Sequence, residues 1–414
     1  MREFFNTHYT YSVEYLCLTF CYKKNKIYIC DMLKALKYRI YPTMEQEVLI
    51  NKHIGSVRFI YNLGLETKRT AYVSGGVNLT KYDLQKQLPA LKEECEWLKE
   101  VNSQSLQTAL LNLDAAFVKF FKGKNKFPVF KKKSNGGSFG IPQNISLKEN
   151  KLYISKFREG IEIVLHRPII GEIRQCTISK TDAGKFFASI LCETGEIIPQ
   201  KKPISKSTTV GIDLGIKTFL VTSDGKEYDN PKLLRKAQSK LKYVQRKYSK
   251  NKGKRIRLRL AKAHEKVANQ RKDFLHKASS EIVKNHDSIA IENLNVKGMM
   301  SNHKLAGAIA DVSWSEFVRQ LEYKADWHGK NILQIGRFEP SSKTCSSCGG
   351  ANKELTLKDR EWTCKCGMLL NRDVNAAINI KNFALRNYLS GTDRKNHGEL
   401  PTLVGVLTHE TYNA

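Results

Sequence analysis

Two cysteine pairs stand fifteen residues apart, Cys345-x-x-Cys348 and Cys364-x-Cys366. A segment this short cannot bury a core of its own, so something other than apolar packing must hold it. C-x-x-C followed by C-x-C reads as four thiolate ligands for zinc in a reducing compartment. It does not read as a disulfide framework, although the chain has ten cysteines. Cys95, Cys176 and Cys192 are scattered and are expected to be buried structural thiols. The second pair runs on through "TCKCGMLLNRDVNAAINI" (Thr363 to Ile380), where Asp373 opens an apparent helix six residues after Gly367. A metal clip thus leads directly into an acid.

Charge narrows the partner. Seventy Lys/Arg oppose forty Asp/Glu over 414 residues, a net +30, and an excess of that size implies a polyanion, nucleic acid being the commonest. An anionic membrane is the rival, but there is no run of 18 apolar residues and no amphipathic helix with a fully apolar face. The segment 231–286 carries 19 Lys/Arg against Glu265, Asp273 and Glu281, a net +16. Apolar stripes through Leu234, Ala237, Leu241, Val244, Tyr248 and then Leu260, Ala263, Val267, Leu275, Ala278, Ile282 predict two helices, broken at Asn251–Gly253. Two solvated lysine faces would not explain the one-sided sign, which favours a hairpin facing nucleic acid. In "GKNKFPVFKKKSNGG" lysines alternate with Phe127 and Phe130. That pattern suits phosphate contact with base stacking, or equally a solvated basic loop anchored by two core phenylalanines.

The remaining pattern sets the organisation. The first 31 residues look foreign to the rest, without a secretory cleavage site. Translation is expected to begin at Met32, which an N-terminal peptide starting at Met1 would overturn. Leu33–Tyr41 reads as a strand. Thr43 to about Phe121 reads as helical, with Val48, Ile54, Val57, Ile60 and Leu63 on one face. Its second clear helix opens on a Ser cap and ends at Gly123. From Ser138 to about Ile198 short β-runs predict a small barrel or sheet. Leu33–Tyr41 is expected to pair with it, which makes the helices an insertion. Thr208–Tyr228 reads as a hairpin and Asp287–Val296 as a buried strand ending at Glu292. A helix with a Ser cap, closed by Gly329, and a strand from Asn331 follow.

Three acids then stand at element ends, Asp213, Glu292 and Asp373. Each has an ordinary alternative: a turn aspartate, a surface glutamate, a helix N-cap. A central sheet with Asp213 and Glu292 on neighbouring strands would bring them together. Like charges so close raise each other's pKa unless hard cations such as Mg²⁺ intervene. Two such ions about 3.5–4 Å apart activate water against a phosphodiester.

The stretches "KALKYRIYPT", "GIDLGIKTFLVTSDG", "IAIENLNVKGM", "PSSKTCSSCG", "WTCKCG" and "NRDVNAAINI" resemble, in order and context, the TnpB/OrfB family of insertion-sequence proteins, long described as transposases and ancestral to the type V CRISPR effectors. The resemblance runs from Met32 to about Leu385. It implies an α+β multidomain fold: an RNase H-like (RuvC-type) α/β nuclease core with an inserted zinc ribbon, and an N-terminal wedge-like β-barrel with an inserted helical recognition lobe. The implied boundaries are an extension at 1–31, the barrel at 32–200 with its lobe at about 43–133, and the core at 207–340 with the basic hairpin at 231–286. The ribbon follows at 341–370, the last helix at 371–386 and a tail at 387–414. The resemblance further implies an RNA-guided DNA endonuclease acting in the prokaryotic cytoplasm at the nucleoid, with no membrane partner. Asp213, Glu292 and Asp373 would be its catalytic carboxylates on two Mg²⁺. Cys345, Cys348, Cys364 and Cys366 would hold a structural Zn²⁺. A transposon-derived RNA guides, and the target is double-stranded DNA beside a short motif that the protein reads. Family members commonly carry D-R-D where this chain has Asn371-Arg-Asp373, for which reduced activity at most is expected. The alternatives are a guided binder without cleavage and a strand-transfer transposase.

Overall fold

The computed structural model describes residues 31–133, 136–356 and 358–391. The expected extension, apart from Asp31, and the tail beyond Gly391 lie outside the described residues. The chain divides between Ile197 and Ile198 into two units.

The first unit opens with β1 (Asp31–Tyr41) and α1 (Met44–Gly75). Thr43 and Gln46 form a capping box at the start of α1, and Gly76 closes it in the left-handed conformation (φ 65°). The buried line of α1 runs through Ile50, Ile54, Val57, Tyr61 and Leu65. Val48 and Leu63, expected on that face, are 56% and 37% exposed. Each lies two positions from a member of the line, which puts it about 200° round the helix. Short helices α2 (Lys81–Lys86) and α3 (Leu88–Glu94) and a 3₁₀ turn lead to α4 (Ser103–Phe121). The cap of α4 is Asn102 rather than a serine; its side chain accepts from the Gln104 N–H at 3.0 Å. Asn102 donates its own N–H to His53 Nε2 (3.0 Å), while His53 Nδ1 donates to Leu49 O (2.9 Å). Burial holds the His53 pKa below its usual value, and the neutral ring ties α1 to the start of α4.

The strands of this unit are β2 (Gly137–Ile141), β3 (Ser146–Lys148), β4 (Lys151–Ile154), β5 (Phe157–Val164), β6 (Glu172–Lys180) and β7 (Phe186–Ile197). With β1 they form one antiparallel sheet in the order β2-β6-β7-β1-β5-β4-β3. β1 therefore sits at the centre, and the helices are inserted between it and β2. Among the described residues β2 and β3 are edges that do not pair, so the sheet is open where a barrel was expected. Helices α1 and α4 supply the missing wall: Ile54, Leu106 and Leu113 share a core with Phe139, Ile161, Ile178 and Ile190. Cys176 and Cys192 are buried in this sheet, and burial pushes the Cys176 thiol up to about 12; Cys95 is half-buried. Phe127 packs edge-on against Phe117 and Phe120, yet it and Phe130 are each 45% exposed. Neither is a core anchor.

The second unit is built on β8 (Thr209–Leu214), β9 (Thr218–Thr222), β10 (Glu227–Asp229), β11 (Ser288–Glu292) and β12 (Asn331–Ile335), in the order β10-β9-β8-β11-β12. β8, β11 and β12 are parallel; β9 pairs antiparallel with both β8 and β10, so it alone runs against the other four. The crossover from β8 to β11 carries α5 (Leu233–Lys250) and α6 (Lys254–Asn285). The crossover from β11 to β12 carries α7 (Val296–Met299), α8 (His303–Val312) and α9 (Trp314–Trp327). After β12 come the short hairpin β13 (Glu361–Thr363) and β14 (Leu369–Asn371), and α10 (Arg372–Leu389). The last helix thus runs three residues beyond the expected 386.

Period-two alternation decides the two faces of this sheet. Val210, Ile212, Ile289 and Ile291 pack with Leu275 and Ile282 of α6 and Phe317 and Leu321 of α9. Ala290 and Leu333 pack with Ile380 and Ala384 of α10. Helix α8 was not legible in the sequence, nor was the cap of α5, a helix that begins close to the expected 231. Lys232 opens α5 in the left-handed conformation without a side-chain cap. The buried carboxylate of Asp311 on α8 substitutes, accepting from Leu234 N (2.9 Å) and Arg235 N (3.3 Å). Ser313 precedes α9, but its hydroxyl donates back to Ala310 O and does not cap the helix. Among the described residues no helix is long and apolar enough to cross a membrane.

Candidate functional site

Strands β8 and β11 run in register, with Gly211 beside Ala290 and Ile212 beside Ile291. Asp213 and Glu292 are the next residues on each. By alternation they share the face of Gly211 and Ala290, which is the face that α10 covers. Gly211 permits a close approach: a Cβ there would lie 2.0 Å from Ala377 O and 2.8 Å from Lys381 N. Alanines 376 and 377 are buried at this contact. Helix α10 is capped by Asn371, whose side chain accepts from Asp373 N and Val374 N, both at 3.1 Å. Asp373 is therefore not the cap. It occupies the first turn, where the helix dipole favours a negative charge. A carboxylate or an amide can cap a helix equally well, so Asn371 serves this helix as it stands.

All three acids line one cleft of about 450 Å³, at the carboxyl ends of parallel strands where such folds bind ligands. Lys217, Trp314, Ser341, Ser342, Arg360 and Arg372 are among its other lining residues. Burial, then the Glu292 and Asp373 charges, push the Asp213 carboxyl up to about 7, while Arg372 and Arg360 pull it back. Glu292 is also raised by burial, against the Ser341 hydroxyl, which donates to its Oε1 at 2.5 Å. Asp373 accepts from Arg360 Nη1 at 3.2–3.3 Å. Protons and guanidinium groups meet this concentration of negative charge only in part. Carboxylate oxygens are the donors that hard divalent cations prefer.

The four cysteine sulfurs, Cys345, Cys348, Cys364 and Cys366, lie within 4.8 Å of one another. Two tight turns present them: Gly349 N–H donates to Cys345 O and Gly367 N–H to Cys364 O, both at 2.9 Å, with both glycines at positive φ. Among the described residues the accompanying core is Leu355, Trp362 and Leu370. Four converging thiols are a donor set suited to zinc, with no open position for water. β14 ends at Asn371, which is itself the cap of α10.

Sequence reasoning passed over the polar groups that join these parts. Asn375 and Asn379 are 1% and 2% exposed on the inner face of α10. Asn375 accepts from Ser346 N (2.8 Å) and donates to Thr344 O (2.7 Å). Asn379 donates to Ser341 O (2.7 Å) and Thr344 O (2.6 Å). The cysteine turn is thus fastened to the helix that carries Asp373. Two asparagines on the packing face of "NRDVNAAINI" were the available signal, since a buried amide requires partners.

A parallel-centred sheet with carboxylates at its strand ends, a thiol cluster just before its last helix and a basic helical hairpin define a mixed α/β protein. Its fold resembles that of Cas12f1 in a Cas12f1–sgRNA–target DNA complex, over 85% of this chain and 99% of that one, with a TM-score of 0.54 at 15% identity. Three family profiles match: "Probable transposase" (OrfB of IS605) over residues 189–303, "Cas12f1-like, TNB domain" over 314–380, and "Helix-turn-helix domain" over 32–76. The last of these regions forms β1 and the single long helix α1 here. A "Putative RNA-guided DNA endonuclease" of Streptomyces pristinaespiralis is 37% identical over 365 residues, 84% of this chain and 88% of that protein. The "Putative RNA-guided DNA endonuclease InsQ" of Escherichia coli K12 is 30% identical over 372 residues, 84% and 91% respectively. The chain belongs to the TnpB/OrfB family.

Proposed function

We propose that this protein is a transposon-encoded, RNA-guided DNA endonuclease whose cleavage site is the cleft of Asp213, Glu292 and Asp373. The observation that carries the reading is the convergence of three half-buried carboxylates in a chain of net charge +30. A five-stranded sheet in the order β10-β9-β8-β11-β12, with four strands running one way and β9 alone against them, supports an RNase H-like core. The four-cysteine segment, with its paired turns, supports a zinc ribbon that is structural. The open sheet with its inserted helices is the wedge-like part and its recognition lobe.

Asp213, Glu292 and Asp373 would hold two Mg²⁺ ions. Bound there, magnesium supplies Lewis-acid stabilisation of the phosphodiester oxygens and a water made acidic enough to act as nucleophile. The chain itself orients the three carboxylates through β8, β11 and the first turn of α10. The α5–α6 hairpin and the basic loop before β2 contact the phosphates of guide RNA and heteroduplex. Target sequence is read by base pairing with a transposon-derived guide, and a short flanking motif is read by the protein. The site of action is the nucleoid of a prokaryotic cytoplasm.

The test is to express the chain with its native flanking DNA, sequence the RNA that co-purifies, and offer matching DNA with Mg²⁺. A discrete RNA and cut DNA with free ends support the reading. DNA binding without enriched RNA refutes it. Joined ends would instead establish strand transfer, the activity to which the transposase profile points.

A further inference from the structure

We infer that Ser341 is a positioning residue for Glu292, and that Asn379 references it to the helix bearing Asp373. The inference rests on the metal-binding reading of the cleft. Ser341 is 7% exposed and lies in the segment between β12 and the first cysteine turn, outside every regular element. Its side chain and its backbone face different partners. The hydroxyl donates to Glu292 Oε1 at 2.5 Å, and the carbonyl accepts from Asn379 Nδ2 at 2.7 Å. Ser341 N–H is held in turn by Glu339 O at 2.8 Å, and Asn387 of α10 donates to Glu339 Oε1 at 2.7 Å.

Glu292 ends its strand, so the β-ladder alone does not set the rotamer of its carboxylate. The Ser341 hydroxyl does so. It engages one oxygen and leaves Oε2 for a cation. Asp373 sits six residues before Asn379 on the same rigid helix. The separation of the two carboxylates is therefore set through α10 and one serine rather than through the sheet alone. Asn379 also holds Thr344 O, next to Cys345, so the thiol cluster braces the same frame.

The experiment uses the full-length, zinc-loaded chain and Mn²⁺ as probe, read by calorimetry and by electron paramagnetic resonance. Cleavage by the guide-loaded protein is titrated with Mg²⁺ in parallel. Substituting an outer partner of a metal ligand typically weakens binding by about 10- to 100-fold. S341A should therefore weaken Mn²⁺ by about tenfold or more and raise the Mg²⁺ needed for half-maximal cleavage. S341T, which keeps a hydroxyl, should restore both to within about threefold. The S341A backbone retains the carbonyl for Asn379, so zinc content and urea midpoint should match the parent. Those two measurements separate lost positioning from lost folding. Equal Mn²⁺ affinity in parent and S341A, at an Mn²⁺ site that D213A abolishes, overturns the role of Ser341 while leaving the metal reading intact. No cleft Mn²⁺ in the parent chain overturns both. S341T behaving like S341A also overturns it, since the hydroxyl would then not be the active group.

Discussion

Gly211 offers the sharpest perturbation of this site because the backbone of α10 lies directly over it. A Cβ at 211 would stand 2.0 Å from Ala377 O and 2.9 Å from Lys381 Cβ. Real Cβ contacts do not fall below 3.0 Å, so the helix must retreat by at least about 1 Å. The opposing atoms include a main-chain oxygen and nitrogen in mid-helix, so no rotamer change relieves the clash. Overpacking of this kind costs about 1–3 kcal/mol. The functional effect should be larger than that on stability, because α10 also carries Asp373. A displacement of about 1 Å at reacting groups can lower a rate by about 100-fold. Gly211→Ala should therefore lower the urea midpoint moderately and cut guided cleavage by about two orders of magnitude, with RNA binding retained. Gly307→Ala is the control. It lies in α8 with nothing within 4 Å of the added methyl, and helix propensity makes it neutral or stabilising by about 1 kcal/mol. Full cleavage by the Gly211→Ala protein, or loss of stability without loss of rate, would refute the claim that this contact places Asp373.

Three further outcomes follow from the same geometry. Asp213→Ala should abolish cleavage in a gel assay while RNA co-purifies unchanged, and undiminished cutting would remove Asp213 from the chemistry. It also removes a carboxyl that burial, and then its acidic neighbours, push up to about 7, so thermal stability without added metal should hold or rise. Cys364→Ser replaces a buried thiol of the cluster and should lower zinc content and folded yield more than it alters the rate of what folds; zinc-free, fully active protein would contradict a structural metal. His53 is held neutral by burial. Its folded pKa lies below the unfolded value of about 6.5, so the unfolded chain binds the extra proton as the pH falls below that value. The His53 contribution to stability is thus complete above about pH 6.5 and is lost progressively in more acidic solution. Urea midpoints between pH 7 and 5 should fall, and His53→Gln should flatten that slope. An equal slope in both proteins would place the acid sensitivity elsewhere.

Local order was legible where local physics produces it. The stripe through Leu241 and Val244, the stop at Asn251–Gly253 and the restart through Val267 and Leu275 are helical periodicity, and α5 and α6 lie there. The apolar runs ending at Asp213 and Glu292 are buried parallel strands, continuous in hydrophobicity because both faces are covered. The cysteine spacing identified the thiol cluster because close pairs in a short segment leave few alternatives.

Tertiary structure alone decided what those elements do together. Asp213, Glu292 and Asp373 are separated by dozens of residues, and only the β8–β11 register and the crossing of α10 bring them to one cleft. The need for glycine at 211 arises from a carbonyl 166 positions later in the chain. The start of α5 takes its cap from Asp311, far downstream, so the stripe from Leu234 marked the helix but nothing local marked its cap. The same holds for the hydroxyl of Ser341 on Glu292 and the asparagines of α10 on the cysteine turn. The open sheet was undecided by its strands, since alternation suits a barrel and a helix-covered sheet alike. Side-chain pattern along a chain specifies which face is apolar. Which partner covers that face, and which buried polar atoms meet across it, are properties of long-range packing.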